Sequence, residues 1–122
     1  MNRNMDIVRR IAIKASEIEY GQTVTELDGV SAEEFAMHVI WMEEAGLVVA
    51  HTQQYQMRAP DAEVSRLTWE GCEFVDAVRD DTLWRKAKDS VLRPASSFTF
   101  SLLKDWLRAE LQQGFPTLRR LG

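Results

Sequence analysis

Cysteine occurs once in this 122-residue chain, histidine twice and proline three times, and these scarcities remove whole classes of chemistry. Cys72 cannot form an internal disulfide. With no partner cysteine and no basic run beside it, it reads as a buried packing residue rather than a reactive thiol. His38 and His51 share no recognisable metal-ligand spacing, so neither a metal nor a cofactor is expected. Glycine-rich phosphate loops and Gly-x-Ser-x-Gly segments are missing as well. So are long apolar runs: the uncharged stretch from Leu47 to Met57 is broken by His51, Gln53 and Gln54, far short of the roughly 20 apolar residues of a membrane helix. The opening residues, Met1 to Asp6, lack the basic start, apolar run and cleavage site of a secretory signal, which predicts a cytoplasmic protein. Asp76, Asp80 and Asp81 could be pictured as paired catalytic carboxylates, but they sit beside a helix break, where acids serve as caps. An enzyme is therefore not expected.

What is present suffices for one domain. Apolar residues make up 45% of the chain, enough for one buried core without staples. The net charge of −4 conceals a strong segregation. Arg3, Arg9, Arg10 and Lys14 against Asp6 make residues 1–14 net +3. Residues 15–81 hold fifteen acids but only Arg58, Arg66 and Arg79, for a net −12, while residues 82–122 are net +5. The acidic middle repels a phosphate backbone; the basic ends either approach one or pair with that middle.

Apolar residues at Ile7, Ile11, Ala15 and Ile18, flanked by Val8 and Ala12, predict a helix from Asp6 to about Ile18. Tyr20-Gly21-Gln22 ends it, with Gly21 suited to the left-handed position after a helix. Thr23 to Leu27 alternates like a short strand before the Asp28-Gly29 turn. Ser31 and Glu34 form a capping box in which each side chain serves the other residue's amide. The helix they open runs to Ala45, closes at Gly46, and turns Phe35, His38, Val39 and Met42 inward. On that apolar stripe His38 reads as a core histidine bonded to a backbone carbonyl. Leu47 to Ala50 and Val64 to Trp69 predict a hairpin, with a long loop from about His51 to Glu63 at its tip. Thr68 is the expected cap of a helix beginning at Trp69 or Glu70, with Phe74, Val75 and Val78 inward. Thr82 is the expected cap of a continuation to about Leu92, which Pro94 ends. Ser96 or Ser97 then opens a last helix with Phe98, Leu102, Trp106 and Ala109 on one stripe and Leu103, Leu107 and Leu111 alongside. The residues from Gly114 onward read as a frayed tail.

The order is helix, short strand, helix, hairpin, helix, helix. The predicted fold is mainly α with a small β-hairpin, an α+β arrangement with a winged-helix-like core at residues 1–93 and a helical extension at 94–122 packed on it. Two stretches carry a family resemblance. Met42-Glu43-Glu44-Ala45-Gly46-Leu47-Val48 looks like the recognition-helix-to-wing junction of bacterial winged-helix regulators, and Arg66-Leu67-Thr68-Trp69-Glu70-Gly71 looks like their strand-to-helix Leu-Thr-x-x-Gly turn. The longer run from Arg66 through Arg79-Asp80-Asp81-Thr82 to Trp84, with the opening Asp6-Ile7-Val8-Arg9, is similar to domain-of-unknown-function family 2513, a bacterial and phage family. The resemblance covers most of residues 4–111. It implies a fold and a setting, and no catalytic residues. In one respect the chain departs from a standard helix-turn-helix: only Thr23 to Val30 separates the first helix from Ser31, so a short strand stands where a further helix precedes the recognition helix.

On the outward face of the second helix stand Glu33, Met37, Ile40, Trp41 and Glu44, with no Arg or Lys between Ser31 and Gly46. A groove-reading helix needs cationic or amide side chains there, whereas Trp and Met suit an apolar protein interface. Three occupants remain open: the C-terminal helices of this chain or of a twin subunit, a protein partner, or DNA. At the hairpin tip, Gln53, Gln54, Tyr55 and Arg58 could reach a minor groove or a phosphate, or could be a solvated loop. Arg3, Arg10 and Lys14 could form a phosphate-contacting stripe, or pair with the acidic middle. Phe98, Leu102, Leu103 and Trp106 give the last helix more apolar surface than a terminal helix on so short a chain needs, which predicts homodimerisation through it. The leading expectation is a non-enzymatic phage or bacterial protein acting by protein–protein contact. A DNA-binding transcriptional regulator using the wing and the basic N-terminal helix is the alternative.

Overall fold

In the computed structural model, residues 1–92 and 100–114 are described. Among them the order is α1 (Met5–Glu17), α2 (Ala32–Glu44), β1 (Val48–Gln53), β2 (Asp61–Leu67), α3 (Trp69–Val78), α4 (Asp81–Ala87), a π-helical turn (Lys88–Leu92) and α5 (Phe100–Gly114). This is the mainly α, α+β composition that the sequence predicts. The chain divides into two compact units, Met1–Val75 and Asp76–Gly122. Within the second unit α4, the π-helical turn and α5 pack on one another.

In the first unit, α1 buries Ile7, Val8, Ile11, Ala12 and Ala15, the apolar face expected from their spacing. Its start lies one residue earlier than predicted, because Asn4 is the cap: the Asn4 side-chain oxygen accepts the amides of Asp6 at 2.9 Å and Ile7 at 3.4 Å. At the other end Ile18 takes an extended conformation, so Gly21 is not the helix's left-handed cap. With φ +91° it instead serves the turn in which the Gln22 amide donates to the Glu19 carbonyl. The predicted strand at Thr23 to Leu27 contracts to one bridge, in which Val24 and Val64 exchange two backbone hydrogen bonds of 3.0 and 2.9 Å.

Ser31 caps α2 by accepting the Glu34 amide at 3.1 Å. The second half of the capping box differs from expectation: Glu34 takes the Ser31 hydroxyl instead of the Ser31 amide. Phe35, Ala36, His38, Val39 and Met42 are buried. His38 is 1% exposed. Its Nδ1 lies 2.6 Å from the Glu34 carbonyl, and its Nε2 accepts the Asn4 amide at 2.9 Å. The acceptor role at Nε2 places the ring proton on Nδ1, so one buried imidazole ties the start of α1 to the middle of α2. At the end of α2 the Gly46 amide donates to Glu43 and the Leu47 amide to Met42. This paired closure needs the left-handed φ of +76° at Gly46.

The hairpin is longer, and its loop shorter, than the sequence suggests. Gln53 pairs with Asp61, leaving residues 54–60 as the connection, and a bulge falls between Val49 and Ala50. Thr68 then joins three elements. Its hydroxyl accepts the Gly71 amide at 3.0 Å and donates to the Gly46 carbonyl, while its own amide donates to the Leu47 carbonyl at 3.0 Å. Gly71 sits against that same carbonyl: a Cβ built there would stand 2.0 Å from the Leu47 oxygen. The Leu-Thr-x-x-Gly turn is thus a joint between the start of α3 and the end of α2.

Phe74, Val75, Ala77 and Val78 are buried along α3, whereas Cys72, expected to pack inside, is exposed because it falls on the helix's outer arc. In the second unit the cap of α4 is Asp80, which accepts the Leu83 amide at 2.8 Å, rather than Thr82. Trp84 and Ala87 are buried. Along α5 the buried stripe is Leu103 and Leu107, whereas Trp106 is half-buried and Ala109 exposed. Of the two stripes expected on this helix, the described buried positions belong to the one with Leu103 and Leu107.

Candidate functional site

The five α2 residues named as a partner face lie on one arc of the helix. Glu33 and Glu44 are exposed, and Met37, Ile40 and Trp41 are half-buried. The helical period explains this grouping, since Phe35, Val39 and Met42 turn to the core and leave these five on the opposite arc. The Trp41 ring meets the His38 ring edge-on, with centroids 5.1 Å apart at 84°. The buried histidine therefore props the most solvent-directed aromatic of the helix. The result is a strip of half-buried apolar side chains, flanked by carboxylates and free of cations along α2.

The basic stripe is arranged differently from expectation. Arg3 lies ahead of α1 and is not part of the helix. Arg10 donates to the Asp28 carbonyl at 2.7 Å and Lys14 to the Glu26 carbonyl at 2.9 Å. Both cations therefore staple the 26–28 segment to α1, alongside the two acids that the segment carries.

The hairpin tip is cross-linked. Tyr55 donates its hydroxyl to Asp61 at 2.8 Å, Arg58 approaches the same carboxylate at 3.7 Å, and the Arg58 guanidinium lies 3.8 Å over the Tyr55 ring. Gln53 and Gln54 are exposed beside them. At the apex Met57 is 95% exposed. Asp61, which organises this loop, escapes sequence reading because Pro60-Asp61 looks like an ordinary turn. On α3, Trp69 is 80% exposed and donates its indole N–H to Glu73 at 2.7 Å.

For α5 the placement is mixed. Leu103 is fully buried within its own chain and so is not on an outer face, while Trp106 is half-buried. Phe98 and the Leu102 side chain lie outside the described residues. Among the described residues no three His, Cys, Asp or Glu side chains gather to hold a metal ion, and no helix is long and apolar enough to cross a membrane.

The α2 strip, the stapled basic helix and the tied hairpin all fall inside residues 2–97, the span over which the chain matches the hypothetical-protein family DUF2513. The chain belongs to this family. A Haemophilus influenzae relative, itself described as an uncharacterised protein, is 26% identical over 117 residues, covering 93% of this chain and 98% of its own length. No solved structure matches. Since the DUF2513 match ends at residue 97, α5 with Leu103 and Trp106 lies beyond it.

Proposed function

We propose that this DUF2513 protein is a non-enzymatic binding protein that engages a protein partner through the outer face of α2. The observation that carries the reading is the strip of Met37, Ile40 and Trp41 between Glu33 and Glu44, incompletely buried and without a cation on the helix. Trp and Met in that setting are the residue types that supply binding energy in interface cores. The order of helix, bridged strand, helix, hairpin and helix fits a winged-helix-like core in which the Val24 bridge takes the place of the middle helix. A winged helix with an acidic second helix presents carboxylates where a DNA reader presents guanidinium groups.

Affinity capture from bacterial extract with the wild-type chain and a Met37→Ala/Trp41→Ala variant tests this. A partner recovered by the wild type is expected to be lost by the variant at unchanged helical content. Equal recovery would sink the proposal. A duplex-DNA shift that weakens steeply with added salt would favour the regulator reading instead.

A further inference from the structure

A cleft of about 820 Å³ opens between α2 and the outer half of the hairpin, a volume in the range of specific binding sites. Ala36 and Glu43 of α2 line one side, and Ala50, Thr52, Ala62 and Glu63 of the hairpin line the other. Alanine at three of these positions leaves room for a backbone to approach. Asp61 completes the acidic lining but is already held by Arg58 and Tyr55. Glu43 and Glu63 meet no cation among the described residues, and no Lys or Arg lines the cleft. The half-buried position of Glu63 makes a cationic partner more favourable there than at an open surface.

β1, which lines the cleft from Ala50 to Gln53, pairs only with β2 among the described strands. Val64 spends both its backbone groups on Val24, so they point away from β1. Ala50, opposite Val64 and next to the bulge, is by the antiparallel pattern a non-hydrogen-bonded partner of Val64, with its own amide and carbonyl turned from β2. Among the described residues no strand takes them up. From Val48 to Gln53 β1 carries no charged residue, whereas charge is the usual device that keeps other strands off an edge.

We propose that this cleft takes an extended, lysine- or arginine-bearing segment of a protein partner, added alongside β1 with its cations between Glu43 and Glu63. Free backbone groups at Ala50 recognise the extended main chain, and the two carboxylates select the sign of its side chains. The inference rests on the chain being a protein-binding module. It concerns a surface that includes neither Met37 nor Trp41.

Fluorescence anisotropy tests it with a labelled peptide of about ten residues alternating lysine and threonine, a length suited to strand addition, and with a twin carrying glutamate for lysine. The lysine peptide is expected to bind saturably and the glutamate peptide not at all. Glu43→Gln/Glu63→Gln should weaken binding by about fivefold or more, the effect of two partly solvated ion pairs. Glu17→Gln/Glu19→Gln, an equal charge change elsewhere, should leave it unchanged. Equal weakening by both pairs would overturn the proposal, since the general acidic field alone would then be responsible; so would absent or non-saturating binding. Failure here alongside loss of capture by the Met37 and Trp41 variant removes the cleft and spares the α2 strip. Unchanged capture with peptide binding that depends on Glu43 and Glu63 does the reverse.

Discussion

Gly71→Ala is the substitution to which this fold should be most sensitive for its size. The added Cβ would stand 2.0 Å from the Leu47 oxygen and 3.0 Å from its carbonyl carbon. Both atoms are backbone, so no rotamer change relieves the contact, and α3 must move by an ångström or more. That shift strains the Thr68 amide bond to Leu47 and the Thr68 hydroxyl bond to Gly46. Two weakened hydrogen bonds cost about 0.5–1.5 kcal/mol each, and overpacking adds roughly 1–3 kcal/mol. Replacing a helical glycine returns about 1 kcal/mol. The net is a loss of about 3 kcal/mol. With a urea m-value of about 2 kcal/mol per molar, the unfolding midpoint should fall by roughly 1.5 M. Trp41 and Trp69 report on this unit by fluorescence. A midpoint at or above that of the wild type would mean that α3 does not abut the Leu47 carbonyl, and the account of the Leu-Thr-x-x-Gly turn would fail.

Two further perturbations address the side chains that organise the site. His38→Phe keeps ring and volume but leaves the Asn4 amide without its acceptor; a loss of about 1–3 kcal/mol in thermal or urea unfolding is expected, and full stability would show that the imidazole bonds are not structural. Tyr55→Phe removes an exposed hydroxyl bond to Asp61. Global stability should change by less than about 0.5 kcal/mol, while limited proteolysis within residues 54–60 speeds up; an unchanged cleavage rate would refute the tied tip.

The legible parts of the fold were those with short-range chemical signatures. Ser31 before an apolar stripe, Gly46 after it, and Thr68 ahead of Trp69 each locate a helix end, because capping satisfies amides and carbonyls within a few residues. His38 was legible for a related reason: an imidazole on an apolar stripe needs a backbone partner. The outer hairpin was not legible. His51, Gln53, Asp61 and Glu63 are polar because the ribbon extends beyond the core into solvent, and a polar ribbon has the composition of a loop. Asp80, Asp81 and Thr82 offered three caps in a row, and propensity does not rank them. On α5 two apolar stripes compete, and periodicity cannot say which one meets the rest of its unit. Of the candidate site, the α2 strip followed from the helical period alone. The cleft depended on a tertiary placement, alanines on α2 opposite alanines on the hairpin, that leaves no local trace.

Electrostatics bears on the choice between a protein and a nucleic-acid partner more strongly than net charge does. Log affinity for duplex DNA falls with log salt by about 0.9 per phosphate neutralised, so the decisive quantity is the number of cations free to reach phosphates. Arg10 and Lys14 hold the 26–28 segment, with the acids Glu26 and Asp28 beside them, and Arg58 lies against Asp61. Of the four cations assigned to a phosphate-binding surface, Arg3 alone is held by no bond described above, and it lies outside the helix that would have aligned it with the others. Phosphate contact by the remaining three would compete with the backbone carbonyls that hold Arg10 and Lys14 and with the Asp61 carboxylate beside Arg58. On the opposite side of the ledger, the carboxylates Glu33, Glu43, Glu44 and Glu63 have no such internal partners among the described residues, so the unmatched charge presented by α2 and the hairpin is negative. A partner that brings cations and an apolar anchor matches both that charge and the Trp41 strip, whereas a phosphate backbone matches neither.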